Sequence, residues 1–202
     1  MMSSHQRKRR AFVAALAALP LNGAVAKDTG REIAHLTRPR ILVAYFSRSG
    51  NTQVVAGLLQ RALKADPFEI RPAQPYPAEY LSTVEQARQE RDSGFEPTIA
   101  EHVSDVGTYD TVYLGFPIWG ETTPPLIRSF LATHDLAGKV LIPFVTHGGY
   151  GLGNSLSVLA RKAPQTRIAR PFVMLADQER GTMNLVNEWL DETGLDKVSQ
   201  AS

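Results

Sequence analysis

The sequence has 202 residues, of which 43% are hydrophobic and 21% charged, a balance typical of one globular domain with a buried core. Cysteine is absent, which excludes disulfide bonds, thiolate catalysis and cysteine-ligated iron–sulfur clusters, so any redox chemistry would need a bound cofactor. No segment contains the roughly 20 successive apolar residues that a membrane-spanning helix requires.

The first 26 residues have the layout of an export signal. Basic residues at positions 7–10 are followed by an Ala-rich run from Ala11 to Leu21, and then by Ala24-Val25-Ala26, which resembles a cleavage site. Arg9-Arg10-Ala11-Phe12-Val13 resembles a twin-arginine signal, which exports proteins that have already folded. We therefore expect a signal peptide over residues 1–26 and a periplasmic location. The alternatives are a disordered basic tail on a cytoplasmic protein and an ordinary signal for unfolded export.

Removal of this signal changes the net charge. The whole chain carries 22 basic and 20 acidic residues, or +2, and the four basic residues at positions 7–10 belong to the signal. The mature chain then has 18 basic and 20 acidic residues, or −2, and it begins with an N-terminal extension over residues 27–39. No excess of basic residues remains to indicate nucleic acid as a partner.

From residue 40 onward, apolar β-like runs alternate with helical patterns. Residues 41–46 form a nearly continuous apolar run, which predicts a strand buried on both faces. The next helix, residues 52–64, should turn one apolar face inward, formed by Val54, Val55, Leu58, Leu59, Ala62 and Leu63. A short strand follows at residues 68–70. After a proline-rich loop, a charged helix is predicted over residues 78–91, with its inward face formed by Leu81, Val84 and Ala87.

The second half of the chain continues this alternation. The predicted elements are a strand at 111–116, a helix with Leu126, Ile127, Phe130 and Leu131 inward, a strand at 140–145, a helix at 154–162, a strand near 168–174 and a closing helix marked by Leu185, Val186, Trp189 and Leu190. Such alternation predicts an α/β fold with a doubly wound parallel sheet. Ligands of these sheets bind beyond the carboxyl ends of the strands, where the strand order reverses.

Three loops that follow predicted strands carry the candidate site. The first is Ser47-Arg48-Ser49-Gly50-Asn51-Thr52, which leads directly into a helix. Backbone N–H groups, hydroxyls and the helix dipole together suit a phosphate group. The loop lacks the lysine of a P-loop, so a nucleoside triphosphate is not expected. An ordinary helix N-cap is the alternative interpretation.

The second loop is Pro117-Ile118-Trp119-Gly120, which continues to Pro125. A tryptophan flanked by proline and glycine at the end of a strand can stack on a planar ligand. Its apolar surface would also disfavour added charge on a reduced ring. Alternatively, Trp119 closes the end of the hydrophobic core.

The third loop is Thr146-His147-Gly148-Gly149-Tyr150-Gly151, and four glycines lie within residues 148–153. Glycine allows unusual dihedral angles and close approach of the backbone to a ligand. The loop does not fit the dinucleotide fingerprint G-x-G-x-x-G, because the last position falls on Asn154. The serines after it also lack the final glycine of a nucleophile elbow, which argues against a serine hydrolase. A flexible loop without a ligand is the alternative.

These three loops resemble the loops of the flavodoxin-like FMN-binding family. Tyr45-Phe46 and the first loop are similar to its phosphate loop, Pro117 to Gly120 to the loop with a ring-stacking tryptophan, and Thr146 to Gly151 to the loop that borders the flavin ring. The resemblance covers residues 40–202. It implies a five-stranded sheet in the order 2-1-3-4-5, helices on both faces, and FMN at the switch between strands one and three. The mature chain is less acidic than a typical electron-carrier flavodoxin, which argues against charge steering toward a basic partner.

The resemblance implies an exported electron-transfer protein whose partner is a redox protein or a quinone or quinol. In that interpretation Ser47, Ser49 and Thr52 bind the phosphate, Trp119 stacks on the ring, Tyr150 is a candidate second wall and His147 a candidate proton donor. No catalytic residue, metal site or oligomeric state is assigned. An FMN-dependent quinone or small-molecule reductase is one alternative, and a non-catalytic module that binds flavin or another phosphorylated ligand is a second.

Overall fold

The structure, a computed structural model, describes residues 39–176 and 182–193. The predicted signal peptide and residues 27–38 of the predicted extension lie outside the described residues. Within the described part of the chain, no helix has both the length and the apolar character needed to cross a bilayer.

The predicted helices and strands are all present, with boundaries shifted by a few residues. In chain order they are β1 Ile41–Tyr45, α1 Asn51–Leu63, β2 Asp66–Glu69, α2 Tyr80–Ser93, a 3-10 turn at Val106–Thr108, β3 Thr111–Pro117, α3 Pro125–Thr133, β4 Val140–His147, α4 Ser155–Lys162, β5 Arg167–Ile168, β6 Phe172–Leu175 and α5 Thr182–Thr193. The 3-10 turn was not predicted from the sequence.

The sheet has the predicted order, and its neighbouring strands are parallel. The path runs β2-β1-β3-β4, and β5 and β6 both pair with β4. The single strand predicted near residues 168–174 is thus divided into two short strands at the fifth position. The interruption contains Pro171, which has no backbone N–H to donate to the ladder. This order confirms the flavodoxin-like fold and brings the carboxyl ends of β1, β3 and β4 together at one edge.

Helices cover both faces of the sheet, and alternate strand residues point to opposite faces. Leu42 and Leu114 pack on the face covered by α3 and α4, while Val43 and Tyr113 pack on the face covered by α1 and α5. In α3, all four residues predicted to face inward are buried. The closing helix buries Val186, Trp189 and Leu190, and the Leu185 side chain lies outside the described residues.

Two predicted helix faces need correction. In α1 the buried residues are Thr52, Val55, Ala56 and Leu59, so the prediction was wrong for Val54 and Ala62, which are exposed. In α2 the prediction was wrong for Leu81 and Val84, which are 69% and 45% exposed, and right for Ala87. The buried face of α2 consists instead of Thr83, Ala87 and Glu90, so two of its three members are polar. An apolar periodicity cannot reveal such a face.

Gly115 in β3 is predicted to tolerate no larger side chain. A Cβ atom at Gly115 would lie 2.1 Å from two carbons of the Phe144 ring on β4, so Gly115→Ala should force that ring to move. We expect a loss of about 1–3 kcal/mol in the free energy of unfolding, measured by urea denaturation.

The matched control is Gly57→Ala in α1, where the nearest atom to a new Cβ is the Arg61 guanidinium at 3.4 Å. This substitution should raise stability by about 0.5–1 kcal/mol, because alanine favours the helix. Equal stability of Gly115→Ala and the wild type would contradict the steric interpretation.

Candidate functional site

The loop after β1 places several backbone N–H groups at the start of α1. Gly50 has a left-handed conformation with φ of 92° and stands at the N-cap, where it offers no side chain to the helix. Its own N–H donates to the Ser47 hydroxyl at 3.2 Å. Among the described residues, none accepts a hydrogen bond from the backbone N–H groups of Asn51, Thr52 and Gln53. Together with the positive end of the helix dipole, these donors form a cradle suited to an anion.

Thr52 connects this cradle to the end of β4. Its hydroxyl is hydrogen-bonded to that of Thr146 at 2.8 Å, and both residues are buried. A hydroxyl can donate one hydrogen bond and accept two, so Thr52 keeps the capacity for a further bond. The Thr146 carbonyl in turn accepts from the backbone N–H of Ile118 at 2.8 Å. The ends of the three predicted loops therefore meet at Thr146.

The polar side chains of the first loop differ in their contacts. The Arg48 guanidinium donates to the Ala78 carbonyl at 3.0 Å and lies 5.4 Å from the centre of the Tyr80 ring. Arg48 therefore contacts the segment before α2. The Asn51 amide donates to the Ser49 hydroxyl at 3.3 Å.

The second loop contains a tight turn that presents Trp119. Trp119 and Thr122 exchange two backbone hydrogen bonds, of 3.1 and 3.3 Å. The two residues between them, Gly120 and Glu121, both have positive φ, of 57° and 63°, as in a type I′ turn. A Cβ atom on Gly120 would lie 2.2 Å from an Arg91 nitrogen, so this turn packs closely against α2.

The Trp119 ring is part of an aromatic cluster with Phe46 and Tyr76. It meets the Phe46 ring edge-on at a centroid distance of 5.1 Å and the Tyr76 ring edge-on at 5.0 Å. Phe46 is 5% exposed, whereas Trp119 and Tyr76 are half-buried. Trp119 therefore packs against the core and still presents part of its ring at the surface. This arrangement combines the two interpretations that the sequence left open for this residue.

The third loop is anchored to the second. A Cβ atom at Gly153 would lie 1.9 Å from the Glu121 carbonyl oxygen, which also accepts from the Asn154 N–H at 3.1 Å. The Thr122 hydroxyl donates to the Asn154 side chain. These contacts hold the end of the loop, whereas Gly148, Gly149 and Tyr150 at its tip are exposed.

His147 has a defined tautomer in its neutral form. Its Nδ1 atom accepts from the backbone N–H of Gly149 at 3.0 Å, so the proton of a neutral ring lies on Nε2. Tyr150, the candidate second wall, is 71% exposed. Both residues border the edge at which β4 ends.

Glu90 and Tyr76 were missed in the sequence analysis. Glu90 is 6% exposed, and its carboxylate accepts from the Tyr76 hydroxyl and from the Gln86 amide, each at 2.8 Å. Burial, followed by the hydrogen bond to Glu90, raises the pKa of Tyr76 far above its usual value. Glu90 follows Thr83 and Ala87 at helical spacing, which places the three residues on one face of α2. A search for apolar periodicity overlooks this face because Glu90 is charged.

A cavity of about 240 Å³ opens beside the first loop, with Phe46, Ser47, Arg48, Ile70 and Tyr76 among its lining residues. A larger cavity of about 440 Å³ is lined by residues 131–137 and 162–166, near the carboxyl ends of α3 and α4. It lies at the opposite edge of the sheet and includes none of the predicted site residues. No group of His, Asp or Glu suited to a metal ion occurs among the described residues.

The fold and the edge site define a doubly wound α/β protein with backbone N–H donors and an aromatic loop at its switch point. The chain belongs to the flavodoxin family, since a family model described as flavodoxin matches residues 40–193. No curated protein matches the chain in sequence.

Solved structures that are similar to this chain belong to the same class of protein. A protein from Bacteroides eggerthii named as a flavoprotein is 33% identical over 77% of this chain and 98% of its own, with a TM-score of 0.67. One from Bacteroides uniformis, named likewise, is 29% identical over 76% and 98%, with a TM-score of 0.68. A Lactobacillus acidophilus flavoprotein, solved in complex with FMN, is 21% identical over 72% and 99%, with a TM-score of 0.59.

The hydroxyl pair of Thr52 and Thr146 is predicted to stabilise the loops as a unit. Thr52→Val should lower the free energy of unfolding by about 1–3 kcal/mol, because it leaves the buried Thr146 hydroxyl without its partner. The double variant Thr52→Val/Thr146→Val should lose less than the sum of the two single variants. Urea denaturation of the cofactor-free chain measures all three.

The matched control is Thr98→Val, since Thr98 is exposed and its substitution should change stability by about 0.5 kcal/mol at most. Strictly additive losses in the double variant would contradict the role of the pair.

Proposed function

We propose that this chain binds FMN non-covalently at the carboxyl edge of its sheet and acts as an exported electron-transfer protein. The observation that carries the proposal is the convergence of three loops on Thr146, which brings the acceptor-free N–H groups of α1 to the same edge as the half-buried Trp119. Family membership, the two similar Bacteroides flavoproteins and the neighbour solved with FMN support it.

The residues present fit the chemistry of FMN. The first turn of α1, with Ser47, Ser49, Gly50, Asn51 and Thr52, offers N–H and hydroxyl donors to a phosphate. Trp119 offers an aromatic surface to the ring, and the glycine-rich third loop offers the backbone N–H groups of Gly148, Tyr150 and Gly151, since that of Gly149 donates to His147. Bound FMN would supply reversible transfer of one or two electrons. His147 would then present Nε2–H as a hydrogen-bond donor near that ring.

Export determines which partners are available in this proposal. A non-covalent cofactor would be lost from a chain threaded unfolded, so the twin-arginine-like segment suits a protein that binds FMN before export. NAD(P)H is a cytoplasmic reductant, and a periplasmic flavoprotein would therefore exchange electrons with a redox protein or a membrane quinol. The net charge of −2 for residues 27–202 gives little electrostatic steering to that encounter.

A second candidate is an FMN-dependent reductase of quinones or other small molecules. The cavity of about 240 Å³ beside the first loop favours it, because Phe46 and Tyr76 line a space large enough for a small aromatic molecule. Two-electron reduction of an added quinone would distinguish this function from a one-electron carrier.

The visible absorption spectrum of the full chain, purified from cytoplasm, tests the proposal directly. We expect flavin bands, and FMN in the supernatant after denaturation. A colourless protein that also fails to bind added FMN would contradict the proposal. Reversible FMN binding without any redox turnover would indicate the non-catalytic binding module.

Substitution in the first loop should weaken FMN binding only through the contacts of that loop with the phosphate. Ser49→Ala is expected to weaken FMN binding by about tenfold or more, because a hydrogen bond to a charged group contributes roughly 1.5–3 kcal/mol. Riboflavin lacks the phosphate, so its weaker binding should be unchanged. Quenching of flavin fluorescence measures both dissociation constants.

Ser157→Ala is the matched control, since Ser157 is exposed on α4. Equal losses for FMN and riboflavin in Ser49→Ala would contradict the assignment of this loop to the phosphate.

A further inference from the structure

The buried carboxylate of Glu90 is the starting point. Glu90 lies on the inner face of α2, and its two oxygens accept one hydrogen bond each, from Tyr76 and from Gln86. None of the ion pairs between described residues includes Glu90. A buried carboxylate is costly unless its hydrogen bonds offset desolvation, so an apolar residue would give α2 a simpler inner face. Glu90 is therefore a candidate for a role beyond packing.

Tyr76 connects this carboxylate to the candidate ring site. Its hydroxyl donates to Glu90, while its ring lies edge-on to Trp119 at 5.0 Å and tilted against Phe46 at 6.0 Å. Burial and Glu90 both raise the pKa of the Tyr76 hydroxyl, and the Arg128 guanidinium opposes them only in part. The hydroxyl therefore stays protonated and remains a donor to the carboxylate.

The next residue along α2 supports the same loop from another side. The Arg91 guanidinium lies so close to Gly120 that a Cβ atom there would be 2.2 Å from it. Glu90 thus reaches Trp119 through Tyr76, and Arg91 contacts the turn that follows Trp119. Two consecutive residues of one helix brace the aromatic loop.

We propose that Glu90 is a positioning residue of the flavin site: through Tyr76 it fixes the Trp119 ring, and its negative charge disfavours electron uptake by the flavin next to that ring. The second half rests on the proposed function, whereas the first is a property of the chain without a cofactor. Arg91 brings a positive charge close to the turn, but this charge is offset by the ion pair with Asp92 at 2.9 Å. Glu90 therefore acts on the ring site in two ways only, through its hydrogen bond with Tyr76 and through the electric field of its own charge.

The first test uses the cofactor-free full chain in a Trp189→Phe background, where Trp119 is the one remaining tryptophan. Glu90→Leu removes the acceptor of the Tyr76 hydroxyl, and we expect the Trp119 emission to shift to longer wavelength as its ring becomes more exposed to water. Glu90→Gln keeps an oxygen acceptor and should restore the wild-type emission. Tyr76→Phe, which retains the ring and loses the link, should reproduce the shift and serves if Glu90→Leu fails to fold.

The second test uses the FMN-loaded chain. Glu90→Leu should weaken the binding of oxidised FMN by about threefold to tenfold, because the Tyr76 hydroxyl no longer has the acceptor that holds it beside Trp119, and Glu90→Gln should bind FMN nearly as well as the wild type. Both variants remove the charge, so both should shift the midpoint potential of bound FMN upward. A purely structural role would not shift the potential of Glu90→Gln.

The matched control is Glu85→Gln, which removes one negative charge from the exposed face of the same helix, where Glu85 accepts from Arg88 at 2.8 Å. It should change neither emission nor potential. Unchanged Trp119 emission in both Glu90→Leu and Tyr76→Phe would overturn the positioning role. A Glu90→Gln potential equal to that of Glu85→Gln would overturn the electrostatic role. If the wild type fails to bind FMN, the proposed function fails, while the emission test still decides the positioning role.

Discussion

The buried hydrogen bond between the Thr52 and Thr146 hydroxyls joins two points of the chain that lie 94 positions apart. It couples the first turn of α1 to the end of β4 across β3, which lies between β1 and β4 in the sheet. Ile118, the residue after β3, completes the connection by donating its N–H to the Thr146 carbonyl. The anion cradle therefore has a fixed position relative to the two loops that would meet the rest of a ligand. On the proposed function, a site held this way would need little rearrangement to bind, which would reduce the entropic cost of binding.

The second and third loops depend on each other in a similar way. The type I′ turn after Trp119 holds Glu121 at positive φ, a conformation that costs energy for a residue with a side chain. The turn is held in place because the Glu121 carbonyl accepts from the Asn154 N–H and because Gly153 allows the second and third loops to approach closely. On the other side, α2 packs against the turn through Arg91. The strain is thus maintained by contacts on both sides of the turn.

How much of this was available from the sequence depends on the kind of signal. The apolar runs of β1, β3 and β4 predict a parallel sheet. The hydroxyl-rich, tryptophan-containing and glycine-rich segments after them predict a site at that edge, because both kinds of pattern are local. The face of α2 was not predictable, since Thr83 and Glu90 are buried while Leu81 is exposed. The contact of Arg91 with Gly120 leaves no local pattern at all. Polar contacts between distant segments are therefore what the sequence conceals.

The distance between the loops along the chain also bears on when a cofactor can bind. Because the cradle and Thr146 meet only after β1, β3 and β4 have paired, the complete site exists in the folded state and not in an extended chain. A ligand that binds the folded state alone stabilises it in proportion to RT ln(1 + [L]/Kd). On the proposed twin-arginine route, folding, cofactor binding and export would then follow in that order. The compartment in which the sheet forms, rather than the one in which the protein acts, would decide which cofactor it carries.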